Sequence, residues 1–224
     1  MDAKKLFQAL FSQQELPRPF YLPLACSLAA KLRQASLPEL FSNPTLYANA
    51  LRDAQRLFGF DALVTSFDPT LEAEALGGEI QWESLDRSPR VIAHPLAEGR
   101  APADLEPQWE TRGRLSVVLE VTKRLVMLLS KEVPILGAIT GPFTLARQLQ
   151  GDSFLPEIAA DSPRSHELLD FIGRCHARLA RRYAELKVDG LLLIEDQFDS
   201  LTGPSIQRLS PILQSLANLL DYFG

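Results

Sequence analysis

Four short words in this chain combine residue types and spacing that could do chemistry. Asp68 ends the apolar run Ala62 to Phe67. A carboxylate at the tip of a buried strand sits where α/β proteins place their sites, and it could accept hydrogen bonds from a ligand's N–H groups or hold a cation. The plainer reading is that Asp68 and Pro69 cap the next helix. Glu72 and Glu74 follow; two residues apart on a helix they point to different sides, so they do not form an acid/base pair. In Thr140-Gly141-Pro142-Phe143-Thr144, Gly141 permits a tight turn and close approach of a ligand, and Pro142 suits the first helical position. The free N–H groups of that turn would face a ligand's carboxylates, unless the word is only a structural turn. Glu195-Asp196 ends the run Leu191 to Ile194. Adjacent strand residues face opposite ways, so one should enter the mouth and the other the helix layer. Asp196, aligned with Ser200, is the candidate for the mouth.

Metal chemistry finds little support. His166 and His176 lie ten residues apart on one helical pattern, and His94 lies in a Pro-rich stretch. Cys175 and His176 are neighbours, about 100° apart on a helix, a poor geometry for one metal. Cys26 and Cys175 are the two cysteines, which fits two free thiols in a reducing cytosol rather than a disulfide framework. No metal ligand set and no cofactor site is visible in the sequence. Gly77-Gly78 lacks the spacing and the lysine of a phosphate loop.

These residues need elements to position them. Near-continuous apolar runs at Phe20 to Ala25, Ala62 to Phe67, Val133 to Ile139 and Gly190 to Ile194 read as strands covered on both faces. Helical patterns separate them. One runs through Tyr47, Ala50, Leu51, Ala54, Leu57 and Phe58, with Asn43 as cap, Pro44 at the first position and Gly59 as stop. A second, between Arg112 and Lys131, runs through Leu115, Val118, Leu119, Thr122, Leu125, Val126 and Leu129. A third uses Leu168, Ile172, Cys175, Leu179, Tyr183 and Leu186. A fourth uses Ile206, Leu209, Leu213, Leu216 and Leu220. The alternation implies an α/β fold with a parallel sheet. Residues 77–109 carry many Gly and Pro and read as a long insertion or mouth-covering loop, with a short extra strand around Ile80 and Trp82.

The chain has 224 residues, 46% hydrophobic and 23% charged, with a formal net charge of −5. An acidic balance argues against a dedicated nucleic-acid binder. The densest basic cluster, Arg174, Arg178, Arg181 and Arg182, reads as a solvated helix face. No run is long enough to span a membrane, and the N-terminus lacks a signal-peptide pattern, so a cytoplasmic location is expected.

The word Asp68…Glu72-Ala73-Glu74-Ala75-Leu76-Gly77, the word Thr140-Gly141-Pro142-Phe143-Thr144-Leu145-Ala146, and Val188-Asp189-Gly190 leading to Asp196 resemble the uroporphyrinogen decarboxylase superfamily, from about Pro19 onward. The resemblance implies a (β/α)8 TIM-type barrel, of which about four strands and the N-terminal half are present. It implies a single domain over 1–224 that is C-terminally incomplete. Asp68 would be the catalytic contact to the ligand. Gly141, Pro142, Phe143, Thr144 and Asp196 would bind substrate. One branch of the superfamily decarboxylates uroporphyrinogen in haem biosynthesis. Its arginine-rich word after the first strand corresponds here to Leu24 to Leu32, which holds no arginine. Its expected tyrosine falls at Gln148 or Arg147, and its expected serine at Gln197. The wording is closer to the corrinoid-dependent methyltransferases, which move a methyl group to a thiol-type acceptor and use a zinc ion held by residues of later strands. The resemblance therefore implies a corrinoid protein or a tetrapyrrole-type small molecule as partner, zinc only in the intact protein, and little activity from this chain alone. A non-catalytic half-barrel, pairing as a homodimer or scaffold module, is the remaining reading.

Overall fold

A computed structural model describes residues 2–97, 99–105, 108–196 and 203–223. Three parallel strands, β1 (Leu63–Val64), β4 (Ile135–Thr140) and β5 (Gly190–Ile194), form one sheet in the order β1-β4-β5. Leu63 lies opposite Ile135, and Leu136 to Thr140 lie opposite Gly190 to Ile194. All three therefore run toward the same edge, where β4 and β5 end together and the loop after β1 reaches the end of β4 at Pro69.

β4 is buried along its whole length because both of its faces are covered. Ile135 and Ile139 pack into the large core beneath the helices, whereas Leu136 and Ala138 turn to the other face and meet Val64 and Ile194. This is the alternation expected of a strand. The helix layer contains α4 (Pro44–Phe58), α6 (Gly113–Leu129), α7 (Pro142–Gln150) and α9 (Pro163–Glu185), with α10 (Gly203–Phe223) packed on α9. α4 begins and ends as its sequence requires. The Asn43 side chain accepts from the N–H groups of Thr45 and Leu46 at 3.1 and 3.0 Å, and Gly59 ends the helix at φ +65°.

Several expectations need correction. Phe20 to Ala25 is not a strand. Pro19 and Pro23 remove backbone donors, and the segment is tied to the residues before β1 by one backbone bond and by bonds to the Asp61 side chain. Tyr21 exchanges bonds with Asp61 (Asp61 N–H to Tyr21 carbonyl 2.9 Å, Tyr21 N–H to Asp61 carboxylate 2.8 Å), and Arg18 grips the same carboxylate with two bonds of 2.6 Å. Ladder pairing in Ala62 to Phe67 is limited to Leu63–Val64. Leu57 and Phe58 at the end of α4 are exposed, as are Ile206 and Leu213 of α10, whose buried stripe runs through Leu209, Ile212 and Leu216. Within the segment 77–109, β2 (Glu79–Gln81) and β3 (Arg90–Ala93) pair as an antiparallel hairpin, with Ile80 in the strand and Trp82 just outside it. Arg174, Arg178, Arg181 and Arg182 are exposed, as their pattern indicates. Among the described residues no helix is long and apolar enough to cross a membrane.

Candidate functional site

The three strand ends bring the sequence-derived candidates together. Thr140, last in β4, reaches back to the loop after β1: its hydroxyl lies 2.9 Å from the Pro69 carbonyl and 2.5 Å from Glu72 Oε2, and its N–H donates to Glu72 Oε1 at 2.7 Å. Glu72 belongs to α5 (Leu71–Ala75) and is buried. Burial pushes its carboxyl up to about 7, against the hydrogen bonds from Thr140 that pull it down.

Asp68 is buried as well. Its Oδ1 accepts from the N–H and hydroxyl of Thr70 at 2.9 and 2.7 Å, and its Oδ2 pairs with the Arg114 guanidinium. Arg114 also donates to Glu74 Oε2 at 2.7 Å and to the Thr70 hydroxyl at 2.9 Å. Its guanidinium lies over the rings of Phe41 and Trp82, at 5.3 and 5.2 Å. Both Asp68 oxygens are thus engaged within the protein. Glu72 and Glu74 do point to different partners, as their spacing requires.

The Gly141 turn departs from expectation in one respect. Its N–H groups do not face outward to an anion, because Glu195 already occupies them. Glu195 Oε1 accepts from Phe143 N–H at 3.0 Å, and Oε2 accepts from the N–H and hydroxyl of Thr144 at 2.9 and 2.6 Å. A carboxylate at a helix N-terminus is favoured by the helix dipole. Burial nonetheless raises its pKa. A Cβ at Gly141 would lie 2.2 Å from Glu195 Cδ, and Gly141 has an ordinary φ of −65°. The glycine is therefore needed for space rather than for backbone freedom.

Asp196 points the other way and is exposed, and its N–H donates to the Thr144 hydroxyl at 2.7 Å. Asp196 and Thr144 line a cleft of about 260 Å³ together with Thr70, Arg90, His94 and Arg147. Gly141, Pro142 and Phe143 are not among the residues lining this cleft; Phe143 is buried and packs on Phe154. Ser200 and Gln197 fall outside the described residues.

Three cleft residues were given no binding role by sequence reasoning. His94 is brought in by the hairpin and anchored by Nδ1 to the Gln148 carbonyl at 2.9 Å; nothing in its local sequence marks it. Arg90 and Arg147 arrive from the hairpin and from α7. Arg114, behind the cleft, did leave a signal. It sits in the first turn of α6, where the helix dipole disfavours a cation, so a dedicated acidic partner was implied.

The residues present do not fit a zinc ion. Cys26 is buried, pairs with the Tyr47 hydroxyl at 3.2 Å and has its thiol pKa raised by burial. Cys175 is buried and pushed up to about 12 by the same cause. Neither offers a thiolate at neutral pH. Among the described residues no cluster of three His, Cys, Asp or Glu could hold a metal.

A parallel sheet with helices on its flank and polar residues gathered at the carboxyl strand ends defines an α/β protein with its site at the strand tips. The family described as uroporphyrinogen decarboxylase matches residues 2–213, and the chain belongs to it. A methylcobamide:CoM methyltransferase MtbA of Methanosarcina acetivorans is 27% identical over 86% of this chain and 57% of its own length. A methylcobamide:CoM methyltransferase MtaA of Methanosarcina barkeri is 33% identical over 85% of this chain and 55% of its own. A uroporphyrinogen decarboxylase of a Chelativorans strain is 26% identical over 91% and 60%. The solved structure of a methyltransferase from Methanosarcina mazei superposes with a TM-score of 0.85 at 25% identity, over 97% of this chain and 67% of that one. The chain spans little more than half the length of these curated relatives.

Proposed function

We propose that this chain is the N-terminal part of a barrel of the corrinoid-dependent methyltransferase branch, and that the intact protein moves a methyl group from a methylated corrinoid, carried on a partner protein, to a thiol-type acceptor. The observation that carries this reading is the similarity to methylcobamide:CoM methyltransferases along 86% of the chain. In this reading the acceptor enters the cleft between Thr144, Asp196 and His94, and the 77–109 segment, which supplies the Arg90 and His94 wall, covers the mouth. In the transfer a sulfur–carbon bond forms as the cobalt–carbon bond breaks, the electron pair staying on cobalt, and the thiol proton must leave. Asp68 serves by holding Thr70 on the cleft wall; direct contact with a ligand requires Arg114 to give way.

The engagement of Asp68 also weighs against the decarboxylase alternative. A porphyrinogen's pyrrole N–H groups need a free carboxylate, and its many acidic side chains need arginines that Leu24 to Leu32 does not supply. The half-barrel scaffold reading draws on the place of β5 at the sheet edge among the described residues, since a strand edge can accept another chain.

The test uses the complete protein that carries this chain, with methylcobalamin as donor and coenzyme M as acceptor. Demethylation of the corrinoid, followed by its absorbance and slowed by Thr144→Ala and Asp196→Ala, is expected. Turnover of uroporphyrinogen with no demethylation would replace this reading with the decarboxylase one.

A further inference from the structure

Glu72 sits at the junction of the two halves of the cleft. It lies on α5, directly after the Asp68 loop, and both its oxygens reach Thr140, the residue before Gly141. The hydrogens at this junction can be counted. Thr140 Oγ1 stands 2.9 Å from the Pro69 carbonyl and 2.5 Å from Glu72 Oε2, yet a hydroxyl carries one hydrogen. If Glu72 is ionised, the hydroxyl serves the carboxylate or the carbonyl and the other acceptor goes without. If Glu72 is protonated, its own O–H donates to Thr140 Oγ1, the Thr140 O–H donates to Pro69, and Thr140 N–H donates to Oε1. Every contact is then satisfied.

We propose that Glu72 is a proton-holding tether, a positioning residue whose neutral carboxyl locks the loop after β1 to the end of β4 and so fixes the Gly141 turn and the Thr144 wall of the cleft. The surroundings agree. Asp68 disfavours a second negative charge nearby, and the Arg114 charge is spent on Asp68 and Glu74. From α9, Cys175 and Tyr183 are held neutral by burial, with Glu72 adding to the shift of each. His176, also on α9, is buried beside the Thr140 backbone and kept neutral by burial. Toward the turn that packs on α5, Glu110 is paired with Arg178, and toward α7, Glu195 is bound to the helix N-terminus. Among the described residues no cation reaches Glu72. Proton loss would leave the Pro69 carbonyl without its donor and loosen the rim.

The inference does not depend on the ligand, so its test is separate from that of the methyl-transfer reading. Carboxyl-labelled wild-type chain is titrated by ¹³C NMR, and exchange of the Thr140 and Gly141 amide hydrogens is followed from mildly acidic to mildly alkaline pH, corrected for intrinsic exchange. The Glu72 carboxyl should titrate near neutrality, well above the surface glutamates, and protection at Gly141, on the rim that the tether holds, should fall several-fold across the same interval. Glu72→Gln reproduces the protonated donor and acceptor pattern, so its protection should persist throughout. Glu72→Ala should lack it at every pH. A Glu72 carboxyl that titrates with the surface glutamates, or a Gln variant that keeps the wild-type pH response, would overturn the proposal.

Discussion

Arg114 and Asp68, 46 residues apart in sequence, form a buried ion pair behind the wall of the cleft, in which the Asp68 side chain is wholly shielded and that of Arg114 is 11% exposed. The guanidinium is shared with Glu74 and Thr70 and rests on two aromatic rings. One side chain thus joins α6, α5 and the loop after β1. Removing one partner of such a pair leaves the other buried and unpaired. Arg114→Ala should therefore destabilise the fold by about 3–5 kcal/mol. Arg114→Lys should recover only part of this, because an ammonium cannot serve Asp68, Thr70 and Glu74 in one plane. Urea unfolding checks both, and a Lys variant as stable as wild type would show that the fork geometry is unimportant.

The close approach of Glu195 to Gly141 gives a second prediction. Glu195→Ala removes the cap of α7 and should cost about 1–2 kcal/mol. Gly141→Ala places a Cβ 2.2 Å from Glu195 Cδ and should cost about 1–3 kcal/mol by forcing the carboxylate out. The two effects share one cause, so they should not add. In the Glu195→Ala background the alanine at 141 should be tolerated far better. Costs that sum in the double variant would place the strain elsewhere.

The start and stop of α4 and two of the apolar strands were legible because each rests on local chemistry: Asn43-Pro44 and Gly59 for α4, unbroken apolar runs for β4 and β5. Phe20 to Ala25 misled because its hydrophobicity is that of a strand while its prolines prevent a ladder. The strand-end positions of Asp68, Gly141 and Asp196 followed from the same local patterns. The partners that decide what those residues can do did not, since Arg114, Glu195 and His94 meet them only across elements. Adjacent Glu195 and Asp196 were expected to diverge, and the pleat sends them to the helix and to the cleft as anticipated. That Glu195 would consume the donors of the Gly141 turn depended on the register of β4 against β5, which no local pattern specifies.

The two thiols supply a third prediction. Both cysteines are buried and their pKa values are raised by desolvation. A thiol reagent at neutral pH should label neither in the folded chain on the timescale that labels a free thiol, and both after unfolding in urea. Rapid labelling of Cys26 in the native state would mean that the segment between α1 (Ala3–Phe11) and α4 opens readily, and that its contact with Tyr47 is not maintained.

Two buried groups should give the stability of this chain opposing pH slopes. His176 has its pKa lowered by burial to about 4 from an ordinary 6.5. As pH falls below 6.5 the unfolded chain takes up a proton that the folded chain refuses. The His176 contribution therefore rises with pH between about 4 and 6.5. Glu72 is raised to about 7 from 4.5. Here the folded chain holds a proton that the unfolded chain has released, so the Glu72 contribution is complete below 4.5 and is lost as pH rises to about 7. Between 4.5 and 6.5 the two contributions offset each other. Substitution exposes each in turn, and subtracting the wild-type profile removes the background of other carboxylates. Relative to wild type, His176→Phe should lose stability as pH rises through this window, with a slope of up to about 1.4 kcal/mol per pH unit. Glu72→Gln should gain stability over the same window by a comparable slope. Melting or urea curves of the three proteins at several pH values suffice, and parallel profiles would mean that neither group titrates differently in the folded and unfolded chains.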